Sequence, residues 1–149
     1  MGVFEEISSA ITAAMKARDK VRLESLRAIK KDFLEAKTAP GANGELSDEA
    51  ALKIIAKLVK QRKDTAIIYQ DNNRPELAAN ELAEAAIMEE YLPKQLNEAE
   101  LTESLKAIIA QVGATSAKDM GKVMGVATKA LAGKAEGRAI SAKVKELLA

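Results

Sequence analysis

Apolar residues recur every three or four positions along nearly the whole chain, which is the spacing of amphipathic α-helices. Alternation with period two, the pattern of a half-buried strand, does not occur. The sequence therefore predicts an all-α protein. The apolar positions of the first four predicted helices are Phe4, Ile7, Ile11 and Met15, then Leu23, Leu26, Phe33 and Leu34, then Leu52, Ile55, Leu58, Val59, Ala66 and Tyr69, and finally Leu77, Leu82, Ala85 and Met88.

Capping residues and helix breakers divide this pattern. Asp19 and Ser47 are suited to begin the second and third helices, because their side-chain oxygens accept hydrogen bonds from free N–H groups of the first turn. The loop at residues 38–44 contains Pro and two Gly, and the segment 72–75 ends in Pro75, which suits the first turn of a new helix.

A break at residues 92–97 precedes shorter predicted helices. Asn97 and Glu100 form a capping box for a helix ending near Val112, and Gly113 follows it. Further helices are predicted over residues 117–131 and 138–148. We therefore predict an N-terminal helical bundle domain, residues 1–94, and a small C-terminal three-helix domain, residues 95–149.

The helix predicted at residues 117–131 has two unlike faces when residues are plotted at 100° intervals. Met120, Val123, Met124, Ala127 and Leu131 share one side. On the other side, the basic face consists of residues within about 60° of one another on the helical wheel: Lys118, Lys122, Gly125 and Lys129.

Glycine inside a lysine stripe weakens a helix by about 1 kcal/mol relative to alanine, but it lets a phosphate approach the backbone. The basic face is therefore predicted to bind a polyanion, with Lys134 and Arg138 extending it. The alternative is an ordinary solvated lysine face. Gly121 lies nearer the apolar side and could instead permit close helix packing, and Gly133 is expected to end the helix.

Charge is distributed unevenly along the chain. Residues 101–149 contain eight basic and four acidic side chains, a net charge of +4, whereas residues 1–100 have a net charge of −3. Such asymmetry is typical of proteins that bind nucleic acids or other anionic surfaces.

The composition also narrows the function classes. The chain has no Cys and no His, which removes thiolate nucleophiles, zinc–thiolate sites and the usual neutral-pH general base. No phosphate-binding loop motif is present. These absences weigh against an enzyme, although catalysis by Lys, Glu or Ser stays open, and no metal or cofactor is expected. No apolar run is long enough to span a membrane and no basic segment precedes Glu5 and Glu6, so we expect a cytoplasmic protein without a membrane partner.

Arg62 projects onto the apolar stripe of the third helix, where a guanidinium is costly unless it is paired. One interpretation is an arginine that faces RNA. The other, which we favour, is a structural ion pair with Glu81 or Glu84 of the next helix.

Four segments together resemble the YqeY family, in order and over essentially the whole chain. They are residues 59–64 (VKQRKD), 89–96 (EEYLPKQL), 113–125 (GATSAKDMGKVMG) and 133–135 (GKA). From about Asn97 onward, the chain is also similar to the tail domain of the glutamine-dependent tRNA amidotransferase, the GatB/YqeY domain.

The resemblance implies an all-helical protein whose C-terminal domain is related to a tRNA-contacting tail. The corresponding residues would be Lys118, Gly121, Lys122, Gly125, Gly133 and Lys134. It also implies the family-level label of a carbon–nitrogen ligase with glutamine as amido-N-donor, but the catalytic domains of the amidotransferase are absent here.

We therefore expect a non-catalytic translation protein that binds tRNA, or an assembly of tRNA with an amidotransferase or an aminoacyl-tRNA synthetase. One alternative is a protein–protein adaptor without RNA contact. The other is an amide-transfer enzyme, for which the serines lie scattered over separate predicted helices.

Overall fold

The structure, a computed structural model, describes residues 2–149. Within this range the chain forms helices and no strand, which confirms the predicted all-α class. The helices are α1 (Val3–Ala17), α2 (Lys20–Thr38), α3 (Asp48–Asp71), α4 (Pro75–Glu89), α5 (Glu98–Val112), α6 (Met120–Ala130) and α7 (Gly137–Leu148), with a 3-10 turn at Ala117–Asp119 before α6. None of these helices is long and apolar enough to cross a membrane.

The chain separates into two compact units, one ending at Leu92 and one beginning at Pro93. The first unit contains α1 to α4, and α3 and α4 form its most extensive helix pair. Its core consists of aliphatic side chains around Phe33, whose ring lies 6.2 Å from that of Phe4. The largest fully buried side chains there are Phe33, Ile7, Leu26, Ile29, Ile55 and Met88.

Four apolar positions predicted to face this core are exposed instead. Met15, Leu34, Leu77 and Leu82 retain between 42% and 54% of their accessible surface. On α2, Phe33 is fully buried, and its neighbour Leu34 is rotated away by about 100°. On α4, the buried positions are Ala78, Ala85 and Met88, and the two leucines lie outside this buried side.

An ion pair joins the beginning of α2 to the end of α4. The Arg22 guanidinium donates hydrogen bonds of 3.1 and 2.8 Å to the two carboxylate oxygens of Glu90. This hydrogen bonding lowers the pKa of the Glu90 carboxyl and raises that of Arg22. The adjacent Glu89 contacts Lys63 of α3 at 2.6 Å. The two consecutive acids are therefore structural, each bound to a different helix.

The second unit packs α5, α6 and α7 around a separate core. Leu105, Val123 and Val144, one from each helix, are fully buried in it. The capping box predicted at Asn97 is present: its side chain accepts from the Glu100 N–H at 2.8 Å, and the Glu100 side chain accepts from the Asn97 N–H at 3.1 Å. Gly113 ends α5 in the left-handed region, with φ +70°.

Asp119 organises the turn between α5 and α6. Its carboxylate accepts a hydrogen bond of 2.9 Å from the Thr115 backbone N–H. This bond is the largest of several effects that lower the pKa of Asp119, and the charge of Lys122 adds a smaller one. The Asp119 carboxylate is therefore ionised at neutral pH, at the start of α6.

We expect Gly113→Ala to destabilise the second unit by about 1 kcal/mol or more, because a Cβ disfavours the left-handed backbone. Gly125→Ala is the matched control: Gly125 lies in mid-helix, where an added Cβ would meet no atom within 4 Å. The Gly125→Ala change should raise the free energy of unfolding of the second unit by up to about 1 kcal/mol. Urea unfolding followed by circular dichroism measures both, and equal effects of the two would contradict the prediction.

Replacement Asp119→Asn should lower the melting temperature at pH 7, with a difference from wild type that shrinks as the pH falls toward 3. The reason is that the pKa of this carboxyl is lower in the folded state than its unfolded value of about 3.9. The ionised carboxyl therefore stabilises the folded state fully at pH values above about 3.9, and the stabilisation is lost as the pH falls and the carboxyl becomes protonated. Glu136→Gln, at a cap that makes no side-chain hydrogen bond, is the control. A difference independent of pH would show that the charge is not involved.

Candidate nucleic-acid interface

The packing of α6 decides which of its residues face outward. Val123 and Ala127 have no exposed surface, and Leu131 retains only 5% of its own. These three side chains point into the core formed with α5 and α7. The opposite side of α6 is therefore presented to solvent, and it is the side on which the sequence places lysine and glycine.

An open depression lies on this outward side. It is lined by Gly121, Lys122, Gly125, Val126, Lys129 and Ala130. Gly121 and Gly125 are four residues apart, so one lies above the other along the helix. A Cβ added to either would meet no atom within 4 Å, and both are exposed. A packing role for Gly121 has no support in this geometry, since no atom of the described residues lies within 4 Å of that Cβ position.

The lysines of the basic face form no close ion pair with an acid. Within residues 2–149, no carboxylate oxygen lies within 4.0 Å of the ammonium groups of Lys118, Lys122 or Lys129. Lys143 in the same unit is different: its Nζ lies 3.1 Å from carboxylate oxygens of both Glu98 and Glu146, and these hydrogen bonds raise its pKa. The three lysines of the basic face thus keep their hydrogen-bonding capacity for an external anion.

Lys118 occupies a different local structure from the one predicted. The helix was expected to run from residue 117, but residues Ala117–Asp119 form a 3-10 turn, in which residues advance by about 120° instead of 100°. The Ser116 hydroxyl accepts from the Lys118 N–H at 3.4 Å. Lys118 is exposed and precedes α6, but it does not line the depression.

Neither residue of the predicted extension of the basic face lines the depression on α6. Lys134 is half-buried and lines a separate depression with residues of α5 and α7, including Lys143. Arg138 is exposed as the second residue of α7. The depression on α6 therefore brings together Lys122, Gly125 and Lys129, but not Lys134 or Arg138.

Gly133 supports the turn that follows α6. Its backbone has the left-handed φ of +73° that a residue past a helix end often adopts. Its carbonyl accepts a hydrogen bond from the Gln95 side-chain amide, and the Lys134 carbonyl accepts from the Leu96 N–H at 2.9 Å. Sequence reasoning missed Gln95, because no periodicity marks a loop side chain that binds a distant backbone.

Arg62 lies in the first unit and pairs with acids. Its Nε is 3.8 Å from Glu81 and 3.7 Å from Glu84, and the three side chains are at most 23% exposed. Burial raises the pKa of Glu84, and Arg62 opposes that shift. The favoured interpretation of a structural ion pair agrees with this geometry, and Arg62 is not an open cation.

A search of the curated proteins finds no match to this chain. The profile of a family described as "Yqey-like protein" matches residues 4–148, which include α1 through α7 almost completely. The match therefore extends over both compact units and over the whole outward side of α6. On this evidence the chain belongs to the YqeY family.

Proposed function

We propose that the protein is a non-catalytic, cytoplasmic tRNA-binding protein whose contact surface is the outward side of α6. The observation that carries the proposal is the depression in which Gly121 and Gly125 lie beside Lys122 and Lys129, two lysines with no ion-pair partner among residues 2–149. Each lysine that neutralises a phosphate releases counterions, which drives association. The similarity of the C-terminal region to the tail domain of the tRNA amidotransferase favours tRNA among the possible polyanions.

The glycines explain why this surface differs from an ordinary lysine face. Alanine at either position would fit without contact and would favour the helix. Gly121 and Gly125 lie on the same exposed stripe with open space above them, and they allow a bulky phosphate to reach the helix backbone beside the ammonium groups. Arg138 is exposed and could contact the same RNA outside the depression.

A protein partner is the second candidate, and it concerns the first unit. Large apolar side chains at the far end of α3 and the start of α4 are exposed: Ile67, Ile68, Leu77 and Leu82. Such groups are typical of protein-interaction surfaces when they occur together. If an aminoacyl-tRNA synthetase or an amidotransferase binds there, the protein belongs to a tRNA–enzyme assembly. If the protein is an adaptor without RNA contact, this region alone binds its partner.

We expect replacement of Lys118, Lys122 and Lys129 by Glu to weaken tRNA binding by more than about tenfold, because three attractive charges become repulsive. Fluorescence anisotropy of a labelled tRNA transcript measures the affinity from 50 to 200 mM salt. Binding by the wild type should weaken steeply with salt, by about one power of the salt concentration for each phosphate contacted. Lys106→Glu is a single-site control in the same unit, because Lys106 lies on α5 near Glu103.

Unchanged affinity of the triple variant would contradict the proposal. Absence of wild-type binding even at 50 mM salt would also contradict it. In that case, a protein that co-purifies with the chain after nuclease and high-salt treatment would identify the adaptor function.

Gly125→Ala should change tRNA affinity and protein stability in opposite directions. The substitution fills open space and favours the helix, so the folded protein should become more stable. It should nevertheless weaken tRNA binding several-fold, because the methyl group occupies the place of the approaching phosphate. Ala107→Gly, at an exposed position in the middle of α5, is the reciprocal control that lowers stability outside the depression. Tighter or equal binding by Gly125→Ala would contradict the role of the glycine.

A further inference from the structure

The negative net charge of the first hundred residues conceals a basic segment. Residues 16–38 contain eight basic and four acidic side chains, a net charge of +4, although residues 1–100 together have a net charge of −3. This segment corresponds to the end of α1 and the whole of α2. Positive charge is therefore not confined to the second unit, although residues 1–100 are negative overall.

The cations of α2 differ from those of α3 in their pairing. On α3, four of the five basic side chains have a carboxylate oxygen within 4 Å: Lys53, Lys60, Arg62 and Lys63. On α2, Arg22 is bound to Glu90. Among the residues that the structure describes, no carboxylate reaches that distance from Arg27, Lys30 or Lys31.

These three cations share one face of α2. Arg27, Lys30, Lys31 and Leu34 follow the i, i+3, i+4, i+7 spacing of a helix stripe and line an open depression together with Glu35 and Thr38. Like charges at Arg27 and Lys31, four residues apart, repel each other. A solvated helix face gains nothing from this arrangement, whereas a polyanion would relieve the repulsion.

Two acids flank the cations. Glu35 lines the same depression. Glu24 precedes Arg27 by three residues, which places it about 60° to one side of Arg27 around the axis of α2. The centre of the face is therefore positive, with its negative charges at the edges.

We propose that Arg27, Lys30 and Lys31 form a second RNA-binding surface, which contacts the phosphate backbone through the first unit. Nucleic acid fits this surface better than an acidic protein, because protein recognition relies on anchors buried in well-packed pockets. Here Leu34 is the apolar residue of the depression, and 45% of its surface is exposed. The proposal is independent of the proposed function of α6, since the two surfaces belong to different units.

The test compares two full-length variants with equal loss of charge. One carries Arg27→Gln, Lys30→Gln and Lys31→Gln, and the control carries Lys53→Gln, Lys60→Gln and Lys63→Gln on the paired face of α3. Anisotropy of a labelled tRNA transcript should show that the α2 variant binds about tenfold more weakly at 100 mM salt. The slope of log affinity against log salt should fall by about 2 to 3, and the control should keep the wild-type slope.

A variant that is expected to bind more tightly provides a control for variants that fail to fold. Glu35→Gln removes the acid from the depression and should tighten binding several-fold, which an unfolded protein cannot do. Circular dichroism verifies the fold of each variant. Unchanged affinity of the α2 variant, or an equal loss in the α3 control, would overturn the proposal.

The α6 triple variant distinguishes the two surfaces. If it loses binding while the α2 variant does not, the α2 proposal fails and the proposed function stands. If only the α2 variant loses binding, the α2 proposal stands and the proposed function fails. Labelled polyglutamate tests the other class of ligand. If it binds as tightly as tRNA at the same salt concentration, the α2 surface binds acidic polypeptides, and the assignment to RNA is overturned.

Discussion

Burial of one side of α6 is the constraint on which the candidate interface depends. Val123 and Ala127 are completely enclosed by the core of the second unit. Their removal from water fixes the rotation of α6 about its own axis, because turning the helix would expose apolar surface at about 25 cal/mol for each Å². Gly121, Gly125 and Lys129 consequently face outward. The outward position of the candidate interface thus follows from core packing and requires no contact among its own residues.

Pairing divides the cations of this protein into two groups with different consequences. Arg22, Arg62 and Lys143 contact carboxylates and link separate helices, so they contribute to the fold. Lys122 and Lys129 have no such partner among the described residues and remain available to a ligand. Net charge does not reveal this division, since a chain at +1 overall contains both groups. The distinction explains why two basic surfaces are compatible with a nearly neutral protein.

Local signals in the sequence predicted the helices well, but the side that each helix buries was harder to predict. The side chains of Asp19, Ser47 and Asn97 cap helices as expected, because a cap needs only its own first turn. Leu34 and Leu82, by contrast, were assigned to the core and are exposed. An apolar stripe is broad, and its edges become buried only if a neighbouring helix packs over them. The local sequence pattern does not predict where that neighbouring helix lies.

The all-helical class, the capping of α5 and the lysine–glycine face of α6 can be predicted from the amino-acid sequence, since they depend on residues fewer than five positions apart. The folded chain was needed to show that Gly121 faces open space and that Lys134 lines another depression. It was also needed to show that Arg27 and Lys31 have no acid beside them. Pairing and exposure depend on which distant residues the fold brings within a few ångströms, and helical periodicity contains no information about those distances.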